Sequence, residues 1–361
     1  MELTWGEDFS ILTEVAKSVF ARCSPLTDRA TTIDYKNHVQ QFRDLDWLQL
    51  GDPAGLSSDS AALGSIAGIF VEMGRALVDT PLLDLTMSRD ASIVIGTAKA
   101  VSLASRIGNG AASVMPVFPL SGWGRPLEIR NDVLSGTAMP VSFADQADGY
   151  LVLADDGGER ALLLIDKTDA VRIESLPNIG EYPMFSVSFS NVAVTEEVVL
   201  ARGLDADRAV EIAQQRSAVL RAAQVYGAGS RLLDITVRYA QDRHQFGGPI
   251  GRFQAVQYLC TDIAINVHLT SAYARSAALA IDSGSDPQLD VALMSKQASR
   301  TAQVMVHAAH EVHAGIGYMV ESNVHLFTKA AKRWQFDFGS DEVHDHTIST
   351  VLDRAYSGEI S

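Results

Sequence analysis

Hydrophobic positions divide the chain into three stretches of different period. From about Asp8 to Ile107 the spacing is helical. Ile11, Val15, Val19 and Phe20 fall on one stripe, and Asp8-Phe9-Ser10 supplies capping residues ahead of it. The run 61–78 is apolar or small apart from Glu72 and Arg75, which predicts a buried bundle helix. Thr80-Pro81 should end it, because proline cannot continue the hydrogen-bond ladder. From about Ala111 to Leu200 the period falls to two. Tyr150–Ala154 and Ala161–Ile165 flank an Asp-Gly turn, Asp155 to Arg160, which is a hairpin signal. Phe185–Ser190 alternates strictly, as a strand with one buried face does. Gly122, Gly124, Pro126 and Gly136 punctuate the first part of this region. No βαβ alternation appears, so a Rossmann domain is disfavoured.

From about Leu204 to Ala355 helical spacing returns in long runs. Val219, Ala223, Tyr226, Leu233 and Val237 share a stripe on the first. Phe253–Asp282 forms the second and Leu289–Glu311 the third, with Met294, Ala298, Ala302, Met305 and Ala309 on one face. Ser283–Pro287 is the turn between them. The expected class is therefore α+β: an N-terminal helical domain over 1–108, a middle β domain over 109–203 and a C-terminal helical bundle over 204–361.

Composition narrows the function classes. The 361 residues are 47% hydrophobic and 20% charged, enough to bury several packed layers. A net charge of −15 leaves no broad basic face, so nucleic acid is not an expected partner. No apolar run approaches the roughly 20 residues that span a bilayer, and no membrane partner is expected. Met1-Glu2-Leu3 opens an acidic N-terminus without the basic start of a signal peptide, so the expected location is cytoplasmic. Cys23 and Cys260 lack metal-ligand spacing and read as reduced, mostly buried thiols. His307, His310 and His313 recur every three residues and His344 and His346 form a His-x-His pair. Both are weak metal signals without further ligands, and no metal is expected. The first set reads better as a polar stripe at a helix end or subunit interface.

The most specific stretch runs from Tyr239 to Gln257: Tyr-Ala-Gln-Asp-Arg-His-Gln-Phe-Gly-Gly-Pro-Ile-Gly-Arg-Phe-Gln-Ala-Val-Gln. It resembles, without a gap, the acyl-CoA dehydrogenase pattern Tyr-Ala-x-x-Arg-x-Gln-Phe-Gly-x-Pro-Ile-x-x-Phe-Gln-x-x-Gln. Glu72-Met73-Gly74-Arg75-Ala76-Leu77 resembles the family's N-terminal helix, and His313-Ala314-Gly315-Ile316-Gly317-Tyr318 its His-Gly-Gly-x-Gly-Tyr turn. The resemblance covers nearly the whole chain. It implies the family's fold, with a middle β-barrel or sandwich and a C-terminal four-helix bundle. It also implies flavin adenine dinucleotide (FAD) as cofactor and an acyl-CoA substrate. By resemblance the FAD-side residues are Arg243, Gln245, Phe246, Ile250, Phe253, Gln254, Gly315 and Gly317, contacting a flavin bound mainly by a neighbouring subunit. Arg243 offers a planar, always charged fork suited to a pyrophosphate. Glu311 stands where the family has a Gln, and a carboxylate beside a pyrophosphate is repelled or turned away.

The pattern then breaks. The family's base is a Glu that removes the α-proton, and alignment of Ala331–Gly339 puts Gly339 on it and Phe338 on the preceding Tyr. The alternative base position, ten residues before the glycine matching Gly227, is Ser217. Positions that normally supply an Asp and an Arg to the acyl-CoA are Gln215 and Ala218. Arg216 and Arg221 point to other helix faces and read as surface arginines, solvated or ion-paired. The Thr-Glu-Pro-x-x-Gly-Ser-Asp flavin loop is replaced by Ser113 to Trp123. Asp341 and Glu342, beside Asp345, are weak candidates for a relocated base. Residues for the chain's own site are thus missing, while those reaching toward a neighbour's FAD are kept. The resulting expectation is a subunit of a hetero-oligomer, a dimer or tetramer, in which another acyl-CoA dehydrogenase-like subunit supplies the base. A bulky steroid side-chain CoA ester is the substrate class this resemblance implies. The alternatives are a self-sufficient homo-oligomer with a relocated base, a non-catalytic scaffold, and a flavin oxidase or monooxygenase on the same fold.

Overall fold

The computed structural model describes residues 4–29, 34–55, 61–119 and 127–357. Met1 to Leu3 and the segment 120–126, with Gly122, Trp123, Gly124 and Pro126, lie outside the described residues. In chain order the first helices are α1 (Phe9–Phe20), α2 (Tyr35–Asp44), α3 (Leu63–Arg75), α4 (Leu82–Ile95) and α5 (Ala98–Gly108). Strands follow: β1 (Val114–Val117), β2 (Leu127–Arg130), β3 (Val133–Ser142), β4 (Gly149–Asp156), β5 (Glu159–Asp166), β6 (Val171–Ser175), β7 (Met184–Ala193) and β8 (Val199–Arg202). Then come α6 (Gly203–Asp242), the short β9 (His244–Gln245) and β10 (Gly248–Pro249), α7 (Gln254–Asp282), α8 (Gln288–His313), α9 (Val324–Asp337) and α10 (Asp341–Tyr356). An N-terminal helical region, a middle mixed sheet and a C-terminal helix bundle are therefore all present, as expected.

The predicted punctuation differs in one place. α3 stops at Arg75, ahead of Thr80-Pro81, because Leu77 takes a left-handed φ of 52°. The chain is thus turned before proline is reached. Two further expectations fail: Ile11, on the expected apolar stripe of α1, is 63% exposed, and the Asp8 side chain makes no capping hydrogen bond. β4 and β5 pair antiparallel across Gly157-Gly158, both at positive φ. On β7, Val187 and Phe189 are buried while Ser188 between them is not.

By contacts the chain forms two compact units. The first comprises Met1–Thr32, Ala62–Val78 and Ala218–Ser361, and the second Ile33–Ala61 and Asp79–Ser217. In the second, an eight-stranded sheet runs in the order β6-β7-β3-β2-β4-β5-β8, with β1 also beside β4. β1 and β2 are parallel to β4, and the other pairings are antiparallel. Tyr150, Leu151, Val152, Leu162 and Leu163 form its dry centre, each with 0% exposure.

In the first unit, α3 crosses the later part of α6 at two glycines. A Cβ on Gly74 would stand 1.9 Å from the Gln224 carbonyl oxygen, and one on Gly227 would stand 1.9 Å from that of Val71. Only residues without a side chain permit that backbone approach. α7 and α8 pack through small residues and a buried hydroxyl pair, Thr270 Oγ1 and Thr301 Oγ1 at 2.8 Å. A Cβ on Gly229 would meet Val267 of α7 at 2.6 Å and Met305 Sδ of α8 at 3.2 Å. The three long helices therefore meet at small-residue contacts.

Candidate functional site

The motif stretch leaves α6 as a tight hairpin. Ile250 N–H donates to the Arg243 carbonyl at 2.8 Å, and β9 pairs with β10. Phe246 and Gly247 are left at the tip with φ of 52° and 84°. A two-residue tip with both φ values positive is the tight turn whose twist matches its strands. Gly247 suits this conformation. Phe246 does not suit it and is held there nonetheless. Its side chain is 86% exposed and meets Phe253 edge to face at 6.0 Å between ring centroids. The Arg243 side chain is exposed and has no hydrogen-bond or ion-pair partner among the described residues. Gln245 and Gln254 are satisfied locally. Gln245 Nε2 donates to the His244 carbonyl at 2.8 Å and Gln254 Nε2 to Tyr258 Oη at 2.6 Å. Ile250 is half-buried in the 3₁₀ turn Ile250–Arg252.

The second predicted group sits where α8 gives way to the 3₁₀ turn Ala314–Tyr318. Glu311 and Gly315 are exposed, and a Cβ on Gly315 would meet nothing within 4 Å. Gly317 is buried, because a Cβ there would stand 2.9 Å from His310 Nδ1. The expected polar histidine stripe is divided. His307 is exposed, whereas His310 and His313 are buried and stack on Tyr318 and Tyr239, each at 4.2 Å. Apolar aromatic contact won over solvation at these two positions. Burial lowers both imidazoles, His313 to about 4. The Tyr239–His313 stack joins the end of α6 to the end of α8. These are the first residue of the long motif and the first of the turn motif. A cleft of about 500 Å³ opens beside the stack, with Arg231, Arg238, Asp242 and Ile316 in its wall.

The positions expected for a base hold none. Gly339 is buried with φ 85° and follows α9, while Phe338 packs at 6% exposure. Asp341 and Glu342 are exposed in the first turn of α10, where their charge favours the helix N-terminus. Ser340 Oγ caps that helix by accepting from Val343 N–H at 3.4 Å. His344 Nε2 lies 2.6 Å from the Phe338 carbonyl, a structural contact. Asp337 lies 3.1 Å from Arg221 Nε and 3.6 Å from Arg333 Nε. In the second unit, Ser217 is buried with no hydrogen-bond partner for its hydroxyl among the described residues. Gln215 Nε2 donates to Glu211 at 3.1 Å.

Arg216 and Arg221 correct the sequence reading, because both are buried. Arg216 Nε donates to Asp90 Oδ2 at 2.8 Å, and Arg89 Nη1 donates to Asp90 Oδ1 at 3.0 Å. Arg89 also donates to the carbonyls of Gln49, Leu50 and Gly51. Asp90 is 1% exposed, so two guanidinium groups share one enclosed carboxylate. Among the described residues no group of three or more His, Cys, Asp or Glu side chains is placed to hold a metal. No helix of these residues is long and apolar enough to cross a membrane. Cys23 and Cys260 are unpaired and half-buried.

Residues 206–352, which contain both motifs, match the family model described as acyl-CoA dehydrogenase, C-terminal domain. Over this C-terminal region the chain belongs to the acyl-CoA dehydrogenase family. It is 26% identical over 281 residues to acyl-CoA dehydrogenase IpdE2 of Mycolicibacterium smegmatis, covering 77% of this chain and 76% of the relative. Two solved structures share its fold. One is the ChsE4-ChsE5 complex from Mycobacterium tuberculosis, with TM-score 0.85, 22% identity, and coverage of 98% of this chain and 99% of that one. The other is a variant of the Tcur3481-Tcur3483 steroid ACAD, with TM-score 0.83, 21% identity, and coverage of 98% and 100%.

The exposed groups on the hairpin and turn fit a cofactor that is both planar and doubly phosphorylated. Arg243 has an uncommitted guanidinium, Phe246 an uncovered ring, and Gly315 open space at its Cα. Glu311 is the carboxylate among the candidates, and its exposure lets it turn into solvent. Several features were missed in the sequence. Asp90 and Arg89 carry a signal, as a charged pair inside the predominantly buried α4. Arg252, which touches both Phe246 and Phe253, stands at a position the family pattern leaves open.

Proposed function

We propose that this chain is the cofactor-bracing subunit of a hetero-oligomeric, FAD-dependent acyl-CoA dehydrogenase. It presents Arg243, Phe246, Phe253 and Gly315 to FAD held mainly by an acyl-CoA dehydrogenase-like partner. That partner supplies the base and the acyl-CoA site. When bound, FAD accepts the hydride that leaves the β-carbon as the α-proton is removed. In this reading Arg243 neutralises pyrophosphate charge through a fork of N–H donors. Phe246 and Phe253 cover apolar cofactor surface and exclude water.

The observation that carries this reading is the unequal fate of the arginines. Arg216 and Arg221 are consumed inside the fold by Asp90 and Asp337, whereas Arg243 is exposed and unpaired among the described residues. A free, structurally unneeded cation beside an uncovered aromatic ring is what a surface offered to a phosphorylated ligand looks like. The ChsE4-ChsE5 complex supports a two-subunit arrangement by analogy, and the Tcur3481-Tcur3483 steroid ACAD supports a polycyclic acyl-CoA. A dimer or tetramer located in the cytoplasm completes the proposal.

The test is purification of the chain alone and co-expressed with a dehydrogenase-like partner, followed by flavin absorbance near 450 nm (roughly the oxidised flavin band, a cofactor property). Flavin and acyl-CoA dehydrogenation in the mixed complex, weakened by Arg243→Ala, are the expected result. Stoichiometric flavin and activity from the chain alone would sink the proposal in favour of a self-sufficient enzyme. No flavin in either preparation would leave a scaffold.

A further inference from the structure

Arg252 makes three contacts that converge on the hairpin tip. Its Nη2 donates to the Phe246 carbonyl. Its guanidinium carbon lies 5.0 Å from the centroid of the Phe253 ring. A Cβ placed on Gly248 would stand 2.9 Å from Arg252 Nη1, so the missing side chain of Gly248 makes room for the guanidinium. Phe253 in turn meets Phe246 edge to face. One planar cation therefore ties the backbone of the tip to the ring that supports the tip's side chain.

That tie answers a physical problem. Phe246 holds a left-handed φ of 52°, costly for a bulky aromatic residue, and its side chain is 86% exposed. Burial of its own side chain cannot hold it there. The hairpin ladder is two residue pairs long, Gly248 with Gln245 and Pro249 with His244, and the proline contributes no N–H. A charge-assisted hydrogen bond to the Phe246 carbonyl supplies the missing restraint. The stacked ring at Phe253 fixes the direction from which it comes.

We infer that Arg252 is a positioning residue that holds Phe246 and the Arg243-bearing hairpin in the conformation presented to the cofactor. The inference rests on the FAD-bracing reading for its functional consequence, and on the contacts of Arg252 alone for its structural one. A lysine keeps the charge but has neither the flat face for Phe253 nor the fork. A glutamine loses the charge as well. The expected order of restraint is therefore arginine, lysine, glutamine.

Two readouts test this order separately. In the first, hydrogen exchange is followed at Phe246 to Ile250 of the purified chain without cofactor. Arg252→Gln should exchange there about tenfold faster, the size of one lost charge-assisted bond, with Arg252→Lys between the two and the amides of α7 and α8 unchanged. In the second, FAD release from the co-expressed complex is followed by flavin fluorescence. Arg252→Gln should speed release by about tenfold and Arg252→Lys should recover part of that. Unchanged exchange in Arg252→Gln overturns the inference, whatever the flavin does. Faster exchange with unchanged release overturns its functional half. If the wild-type complex binds no flavin, the bracing reading fails and the exchange result still decides the role of Arg252 in the hairpin.

Discussion

The early part of α6 and the hairpin that follows α6 handle their arginines in opposite ways. Around Ser217 the charges are buried and closed on themselves: Arg216 and Arg89 on Asp90, and Arg221 on Asp337. Around Phe246 they are exposed, and Arg243 has no partner among the described residues. A buried ion pair contributes little net stability because desolvation offsets attraction, but removing one partner leaves an enclosed charge. The first region therefore cannot offer its guanidinium groups to a ligand without unfolding locally. Arg243 in the second can do so at no structural cost. The early part of α6 keeps its charges in the interior, while the hairpin faces outward with a free one.

The largest expected effect breaks the closed side. Asp90→Ala strands Arg89 and Arg216 in an interior where both are under a tenth exposed, and should cost about 3–5 kcal/mol. Chemical denaturation of the purified chain measures it. The triple change Asp90→Leu, Arg89→Met, Arg216→Met should restore much of the loss, since it removes the stranded charges too. A loss below about 1 kcal/mol for Asp90→Ala, the range of a surface pair, would mean that the cluster is hydrated and the contrast with the hairpin is false.

These particulars also show what a sequence can disclose. The hairpin motif was legible because its residues lie within one short stretch, and local turn geometry follows from local residue order. The β4–β5 hairpin and the stripe of α8 were legible for the same reason, whereas the α6 stripe held only at Val219 and Ala223: further along, Leu232, Thr236 and Ala240 are buried while Leu233 and Val237 are half-exposed. Arg216 was misread as a surface residue because its partner, Asp90, lies on a different helix far back in the chain. Helical periodicity says which face a residue occupies, and nothing about what packs on that face. The same limit hid the Tyr239–His313 stack, although both residues belonged to recognised motifs. Arg252 carries no such local signal, because it stands at a position the family pattern leaves open and its contacts with Phe246 and Phe253 exist only once the hairpin is folded.

The next effect tests the joint between the two recognised motifs. His313 is 4% exposed, and burial holds its imidazole at about 4 against an ordinary 6.5. The folded state therefore binds fewer protons than the unfolded state between these values, and stability must fall as pH drops from 6.5 to 4. The full difference is about 3 kcal/mol, taking 1.36 kcal/mol for each pKa unit. Above pH 6.5 both states are neutral and the slope vanishes. His313→Gln removes the titrating group, so its stability curve should be flatter through that window. Equal slopes in wild type and variant would show that the ring is solvated and the stack with Tyr239 is loose.

Arg243→Ala belongs to the open side and should leave denaturation nearly unchanged, within about 0.5 kcal/mol, as for an ordinary surface substitution. In the mixed complex the same change should weaken FAD by about 1.5–3 kcal/mol, the range of a hydrogen bond to a charged group. Equilibrium dialysis read by flavin absorbance measures this. Loss of stability together with loss of flavin would place Arg243 inside a folding network and erase its difference from Arg216.

Phe246→Ala should have the smallest effect on the isolated chain and sharpens the comparison most. The ring is 86% exposed, so little apolar area is returned to water when it is removed, and the left-handed φ of 52° is somewhat less costly for alanine than for a bulky aromatic. A stability change of about 0.5 kcal/mol or less, of either sign, follows. The ring's contact with Phe253 lies at the surface, where its loss costs little. An aromatic residue kept in an unfavourable conformation for so small a return is not explained by folding. Its effect should appear only when something covers it, as faster FAD release from the mixed complex beside an unaltered denaturation midpoint. If instead the midpoint falls and flavin release does not change, the hairpin is a packing element of this chain and the surface is not offered to a cofactor.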